Sequence, residues 1–254
     1  GILLSSTGER KISLMSQGVN DVQFRIGRIH IDQLNHLVSQ SDGDLKNLRF
    51  TNYKFSEDNI IENYYEEMSL KSGDPGEANY FSFDFTNYLD PQDKGDVKTG
   101  IFIFEVSEWD RQNKRKGSLS DKRLIMVSDL GVLVKDGSDN THDIFVQSIS
   151  TGLPVSKAKI QVLGKNGIPL VTSRTDKGGH VSVPSLMNYN REKTPTVYVI
   201  SKGDDISFLP LNAPSRWMNY SRFDVGGVHG ASDPNKISGY LFSDRGIYRP
   251  GDEF

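Results

Sequence analysis

The sequence predicts an all-β protein of tandem β-sandwiches, with one short helix in the first module. Three observations lead to this prediction: short apolar segments of period two, regularly spaced turn residues, and little apolar periodicity of the helical kind. The 254 residues include 24 glycines and 10 prolines, the residue types that mark turns. Short strands separated by turns about every 8–12 residues are typical of β-sandwiches.

Alternation of apolar and polar side chains predicts a strand at residues 22–29. Residues 48–55 are predicted as a second strand, and residues 79–85 and 99–106, in which aromatic and aliphatic residues alternate, as two more. Asp32–Val38 predicts the short helix. Asp32 can act as its N-cap, and Leu34, Leu37 and Val38 share one helical face.

Two segments of the first module are irregular. Residues 56–71 are acidic and are interpreted as a short helix face or an irregular edge. Their apolar residues are Ile60, Ile61, Tyr64, Tyr65 and Met68. Residues 109–118 are polar and basic and end in Gly-Ser, which indicates a linker or the tip of a hairpin.

The second module begins with two short apolar segments, 124–127 and 131–134. Further along, the Asn166-Gly167 pair is a strong hairpin signal between two apolar segments. Thr175–Gly179 predicts the next turn. The remaining predicted strands are residues 158–163, 169–174, 180–183 and 196–201.

These elements divide the chain into three parts. A β-sandwich is predicted for residues 1–121 and a second for residues 122–238, while residues 239–254 begin a further domain. A glycine-rich connector, 226–235, precedes the third part. A strand should follow the Pro250-Gly251 turn, so the chain is expected to stop just inside that further domain.

A search for catalytic and cofactor motifs finds none, although a Ser/His/Asp triad assembles in space and is left open by the sequence. There is no cysteine, which excludes disulfides, thiolate metal sites and a cysteine nucleophile within these residues. No Gly-x-Ser-x-Gly elbow occurs, and Gly226–Gly230 has neither dinucleotide-binding nor P-loop spacing. His142-Asp143 is interpreted as part of a solvated loop. No catalytic, cofactor-binding or metal-binding residue is assigned, and the protein is not expected to be an enzyme.

Two charged clusters are interpreted as solvated surfaces. The carboxylates of segment 57–67 lack the ligand pattern and central glycine of a calcium loop. The basic cluster, with Trp109 as its one aromatic neighbour, is interpreted as a charged interdomain hinge rather than a nucleic-acid groove. Its members are Arg111, Lys114, Arg115, Lys116, Lys122 and Arg123. The net charge of −3 also argues against a nucleic-acid partner.

The aromatic residues near the end of the second module are expected to pack in a core or between domains. They are Tyr198, Phe208, Trp217, Tyr220 and Phe223. A carbohydrate-binding sandwich remains an alternative, and it would expose coplanar aromatic rings. Asn219-Tyr-Ser221 matches a glycosylation triplet, a pattern that is common by chance.

The segment Ser-Asp-Arg-Gly-Ile-Tyr-Arg-Pro-Gly-Asp, residues 243–252, is the most informative in the chain. It resembles the opening signature of a macroglobulin-type domain in the α2-macroglobulin family. Asp244, Arg245, Tyr248, Pro250 and Gly251 carry this resemblance. Residues 123–134 and 145–155 are similar to the preceding domain in the bacterial branch of that family.

The resemblance implies tandem immunoglobulin-like, macroglobulin-type sandwiches at the N-terminal side of a broad-spectrum protease inhibitor. In this family a protease cleaves a bait segment and is then confined, in many members with covalent capture by a thioester. The implied partners are host or competitor proteases, neighbouring macroglobulin domains and cell-envelope proteins. The implied location is the periplasm, with a lipidated N-terminal anchor outside this sequence. Ig-like stalk modules of a bacterial adhesin are the alternative.

Overall fold

The computed structural model describes residues 2–41, 59–70, 76–89, 99–213 and 217–218. They contain one α-helix, α1 (Leu34–Gln40), and fourteen strands in these ranges. The strands are β1 (Ile2–Ser5), β2 (Lys11–Gln17), β3 (Asp21–Ile29), β4 (Ile60–Ser69), β5 (Ala78–Asp84), β6 (Gly100–Asp110), β7 (Arg115–Ser128), β8 (Leu130–Asp136), β9 (His142–Ser148), β10 (Lys159–Gly164), β11 (Pro169–Arg174), β12 (His180–Val183), β13 (Pro195–Lys202) and β14 (Asp205–Pro210).

Four sheets contain all fourteen strands. The first sandwich pairs a five-stranded sheet, β1-β7-β6-β3-β4, with the two-stranded sheet β2-β5. The second pairs the four-stranded sheet β11-β10-β13-β14 with the three-stranded sheet β12-β9-β8. Every described pair is antiparallel except β1 with β7, so the predicted all-β class with one short helix is confirmed.

Aromatic side chains fill the core of the first sandwich. Phe24 and Phe104 stack with ring centroids 5.6 Å apart, and Phe83 lies 4.5 Å from Phe24 and 5.2 Å from Phe104. Phe85 lies 5.1 Å from Phe104. Tilted and offset ring pairs at these distances add about 0.5–1.5 kcal/mol each beyond the burial of their area. This core therefore joins the five-stranded sheet to the β2-β5 sheet.

Both larger sheets are buried on both faces. On β6, Ile101 and Ile103 point to one apolar cluster, while Phe102 and Phe104 point to the aromatic core. On β13, Val197 and Val199 alternate in the same way with Tyr198 and Ile200. The side chains of a strand alternate between the two faces of its sheet, so apolar residues at successive positions require cover on both. The two sandwiches are therefore stacked, with an apolar layer between the two larger sheets.

The predicted helix is present, but its N-terminus differs from the prediction. A single 3₁₀ turn, Ile31–Gln33, precedes α1, and the His30 side chain accepts a hydrogen bond from the Asp32 amide. Asp32 as an N-cap is therefore wrong, because the chain enters the helix through the 3₁₀ turn. Leu34, Leu37 and Val38 are buried on one face, as the apolar spacing predicts.

The acidic segment before residue 70 is a regular strand, not a helix face. β4 pairs with β3 from Asp21–Ser69 to Ile29–Ile60, with one register shift near Arg28. It is an edge strand of the five-stranded sheet, which matches the alternative interpretation as an edge. Apolar residues such as Ile61 and Tyr65 lie on its exposed side, so the sequence of β4 does not alternate between apolar and polar residues.

The basic segment after β6 is the tip of the β6–β7 hairpin, not a linker. β6 and β7 pair from Gly100–Val127 out to Asp110–Arg115. The predicted boundary after residue 121 falls inside β7, which pairs only with β6 and β1 among the described strands. That domain boundary stays a prediction. The predicted strand 48–55, the connector 226–235 and the segment 243–252 lie outside the described residues.

The hairpin and turn predicted in the second module are confirmed. β10 and β11 pair around the turn at Gly167, whose φ is +79°. Asp176 caps the turn before β12 by accepting from the amides of Gly178 and His180. His142-Asp143 as a loop is wrong, because both residues lie in β9.

The substitution Gly179→Ala is expected to cost about 2 kcal/mol of unfolding free energy. Gly179 has φ +71°, and a Cβ there would lie 2.5 Å from the Val146 carbonyl oxygen. That oxygen is backbone, so it has little freedom to move. Gly203→Ala is the matched control: its φ is +60°, but nothing lies within 4 Å. Urea denaturation of both variants should show a smaller loss at Gly203, about 1 kcal/mol. Equal losses would exclude the steric contact.

Candidate functional site: an apolar junction between the sandwiches

The apolar layer between the two larger sheets is the main candidate for a functional feature, and it is called the junction here. It combines buried side chains from the five-stranded sheet, α1 and the four-stranded sheet. Its members are Ile29, Leu34, Leu37, Val38, Ile101, Ile103, Leu124, Met126, Leu163, Val197, Val199 and Phe208. Burial of about 1.5–3 kcal/mol per large apolar side chain makes such a layer strongly resistant to separation.

Helix α1 contributes three of these side chains and one polar contact. Leu34 and Leu37 are fully buried, and the helix packs against β13 of the other sandwich. Next to them, the Asn35 Nδ2 group donates to the Lys165 carbonyl oxygen at 3.0 Å. Lys165 belongs to the turn after β10, so the hydrogen bond fixes the helix to the second sandwich.

A carboxylate on β14 accepts hydrogen bonds from the chain segment that connects the sandwiches. Asp205 accepts from the Ser128 hydroxyl at 2.7 Å and from the Asp129 amide at 2.8 Å. Ser128 is fully buried and its oxygen also accepts from the Leu130 amide at 3.0 Å. The pKa of Asp205 is raised, mainly by burial and also by the nearby charge of Asp129. The hydrogen bonds lower it, but they do not outweigh these two effects.

Asp129 organises the other side of the same connection. Its carboxylate accepts from the Ser148 hydroxyl at 2.6 Å and from the Ser150 amide at 2.8 Å. Burial alone would raise the pKa of Asp129, but the hydrogen bonds from Ser148 and Ser150 outweigh it and lower the pKa. Asp129, the one residue between β7 and β8, is therefore held by Asp205 of β14 through its amide and by Ser148 of β9 through its carboxylate.

The predicted basic hinge is neutralised by acidic partners. Lys116 and Lys122 contact the Glu105 carboxylate at 2.7 and 3.6 Å, and Arg25 reaches it at 3.9 Å. Burial favours a raised pKa for Glu105, but these cations lower it overall. The other ion pairs of the cluster are Arg111–Asp21, Arg115–Asp110 and Arg123–Asp121. A hinge at this position is wrong, because these residues pair along the β6–β7 hairpin.

Two histidines of the second sandwich pair with carboxylates, but neither forms a proton relay. The Asp136 carboxylate and the Tyr198 hydroxyl both lie within 2.9 Å of His142 Nδ1. A relay needs its base to bond different partners through its two ring nitrogens, and here both partners share one. His180 pairs through Nε2 with Asp143 at 2.9 Å.

The acidic segment and the aromatic residues have structural roles where they are described. Glu62 accepts from Tyr64 and Glu66 accepts from Tyr88, so both carboxylates are used inside the first sandwich. Within the described ranges, no three His, Asp or Glu side chains are placed to hold a metal ion. The described helices include none long and apolar enough to cross a bilayer.

The aromatic prediction for the second module is correct in part. Tyr198 and Phe208 are buried in its cores, whereas Trp217 is 71% exposed. Packing in a core is therefore wrong for Trp217, whereas its packing between domains stays a prediction. Tyr220, Phe223 and the triplet Asn219-Tyr-Ser221 lie outside the described residues.

Sequence reasoning missed the junction, although the sequence contains a signal for it. The segments Ile101–Phe104, Leu124–Val127 and Val197–Ile200 are continuously apolar rather than alternating. Such short continuous segments are typical of strands buried on both faces. The strands β1, β2, β9 and β14 were not predicted either.

The stacked sheets and the junction define an all-β protein of two stacked β-sandwiches. Residues 127–230 match the family "Bacterial alpha-2-macroglobulin MG3 domain". The whole chain is 36% identical to an alpha-2-macroglobulin homolog of Yersinia pestis and 39% identical to an alpha-2-macroglobulin of Rickettsia conorii. This chain belongs to the bacterial alpha-2-macroglobulin family. It spans 13% of the length of each of these two relatives.

Solved structures agree with this fold. Native Escherichia coli alpha-2-macroglobulin spanning domains MG0-NIE-MG1 aligns with a TM-score of 0.55, covering 82% of this chain and 60% of that one at 18% identity. Salmonella alpha-2-macroglobulin reacted with methylamine aligns with a TM-score of 0.54, covering 89% of this chain and 12% of that one at 20% identity. Tandem macroglobulin-type sandwiches are thus the shared architecture.

Proposed function

We propose that this chain is a structural N-terminal module pair of a broad-spectrum protease inhibitor that traps proteases and defends the bacterial envelope. Family membership supports this proposal, because relatives that are 36% and 39% identical over the whole of this chain are an alpha-2-macroglobulin homolog and an alpha-2-macroglobulin. In this proposal the protein is not an enzyme, and its partners are proteases, neighbouring macroglobulin domains and envelope proteins. Its location is the periplasm.

The observation that carries the proposed role is the junction. A trap that rearranges after cleavage needs parts that move as rigid bodies. The buried apolar layer and the Asp205 hydrogen bonds join two sandwiches without a loose linker between them. The two sandwiches would therefore act as one mechanical unit. The proposed module bounds stay those of the sequence, 1–121 and 122–238, with a further domain starting at 239–254.

The proposal is tested on the full-length protein with trypsin, chymotrypsin and thermolysin. We expect each protease to cleave one exposed segment. Small-angle scattering should then show a compacted molecule, and the bound protease should cleave small peptides while resisting large protein inhibitors. A catalytically inactive trypsin is the control and should cause no compaction. Cleavage without compaction or shielding would refute the trap, and fractionation that places the protein outside the periplasm would refute the location.

A further inference from the structure

Three neighbouring exposed side chains on the outer side of the three-stranded sheet are apolar. Leu133 on β8 lies directly opposite Phe145 on β9, and they are 49% and 37% exposed. Ile149, just after β9, is 41% exposed. These three residues are called the apolar outer face. The inner face of the same sheet already fills the core of the second sandwich, so the outer face contributes nothing to that core.

A shallow groove of about 560 Å³ crosses this face. Its lining includes all three residues together with Gly131 and Gly152. Gly131 lies opposite Gln147, and a Cβ there would sit 3.4 Å from the Ile149 side chain. The missing side chain leaves the depression beside Ile149, a shape that can receive a side chain from a covering surface.

Polar residues border the apolar outer face on one side. Asp143 and His180 are joined by a hydrogen bond of 2.9 Å, and the centroid of the His180 ring lies 4.8 Å from that of Phe145. The hydrogen bond from His180 lowers the pKa of Asp143, and the charge of Lys135 acts in the same direction. An apolar centre with a polar rim is the usual anatomy of a protein interface.

The size of this face indicates what covers it. Three strands about 4.8 Å apart, with about 3.3 Å per residue, offer roughly 300 Å². Stable complexes between separate proteins bury about 800 Å² per partner. Contacts between domains of one chain are smaller, about 600–1,500 Å² in total, because the linked domain is present at high effective concentration.

We propose that the apolar outer face docks another domain of the same polypeptide, one that lies outside these 254 residues and presents an apolar side chain to the Gly131 groove. The chain spans 13% of its relatives, so most of such a polypeptide is available to cover the face. The inference rests on the proposed function in one respect only: the chain must be part of a longer, multidomain protein.

Hydroxyl-radical footprinting of the full-length protein and of the 254-residue chain tests the proposal. Oxidation follows side-chain exposure, so Leu133, Phe145 and Ile149 should react about fivefold more slowly in the full-length protein if they enter an interface core. Equal rates in the two proteins would overturn the proposal. So would slower oxidation with rising concentration of the 254-residue chain accompanied by dimers in sedimentation, because a second copy would then be the partner.

Variants make the test specific. Leu133→Thr with Phe145→Thr places β-branched side chains, which suit strands, at both positions. The double substitution should restore Ile149 oxidation in the full-length protein to the rate of the shorter chain. Met15→Thr with Tyr80→Thr changes an exposed cross-strand pair on the β2-β5 sheet and should leave that rate unchanged. Protease trapping is measured separately, so a protein that fails to trap can still show the protected face.

Discussion

Leu37→Ala is expected to lower the unfolding free energy by about 3 kcal/mol, one of the two largest effects predicted for this chain. Leu37 is fully buried in the junction, so the shortened side chain leaves a cavity between the sandwiches. Urea denaturation measures the loss. Leu119→Ala is the control, because Leu119 is 56% exposed on β7 and its truncation should cost less than about 0.5 kcal/mol.

Which strands lose stability in Leu37→Ala tests the junction more directly than the size of the stability loss does. If the junction makes one mechanical unit, hydrogen exchange should speed up on both β6 of the first sandwich and β13 of the second. Leu37 itself lies in the first part of the chain, in α1. Faster exchange on β6 with unchanged exchange on β13 would show that the two sandwiches unfold independently.

Asp205→Ala is expected to cost about 3 kcal/mol, since it leaves the Ser128 hydroxyl and the Asp129 amide without their acceptor. Asp205→Asn is the matched variant. Its amide oxygen keeps one of the two hydrogen bonds, so the expected loss is about 1 kcal/mol. Both losses are measured by urea denaturation at pH 7. A negligible loss in Asp205→Ala would show that water replaces the carboxylate at no cost.

The Asp205 variants should also differ from the wild-type protein in pH dependence. The pKa of Asp205 is raised in the folded state, above an unfolded value of about 3.9. Its contribution to stability is therefore fully present below the unfolded pKa and decreases as pH rises through the folded pKa. The stability difference between wild type and Asp205→Ala should shrink from pH 4 to pH 7, and a difference that grew would contradict the raised pKa.

Particular elements show which parts of the fold could be predicted from the sequence. β3, β5 and the β10–β11 hairpin were predictable, because each is set by local alternation or by a turn pair such as Asn166-Gly167. β4 was not, since its exposed Ile61 and Tyr65 break the alternation of an edge strand. The interpretation of the basic cluster as a hinge was wrong for another reason. Its acidic partners Asp21 and Glu105 lie on β3 and β6, and only the pairing of the strands brings them next to the basic side chains.

By itself, the sequence determined the all-β class, the short helix and the resemblance to the bacterial α2-macroglobulin family, because local periodicity, turn residues and a fixed motif encode them. Only the tertiary structure decided that the two sandwiches share a junction and that, within the described residues, Leu133 and Phe145 lie exposed side by side on one sheet face. A continuous apolar strand shows that both its faces need cover. Which surface supplies the cover depends on side chains far apart in sequence, such as Leu37 and Val199.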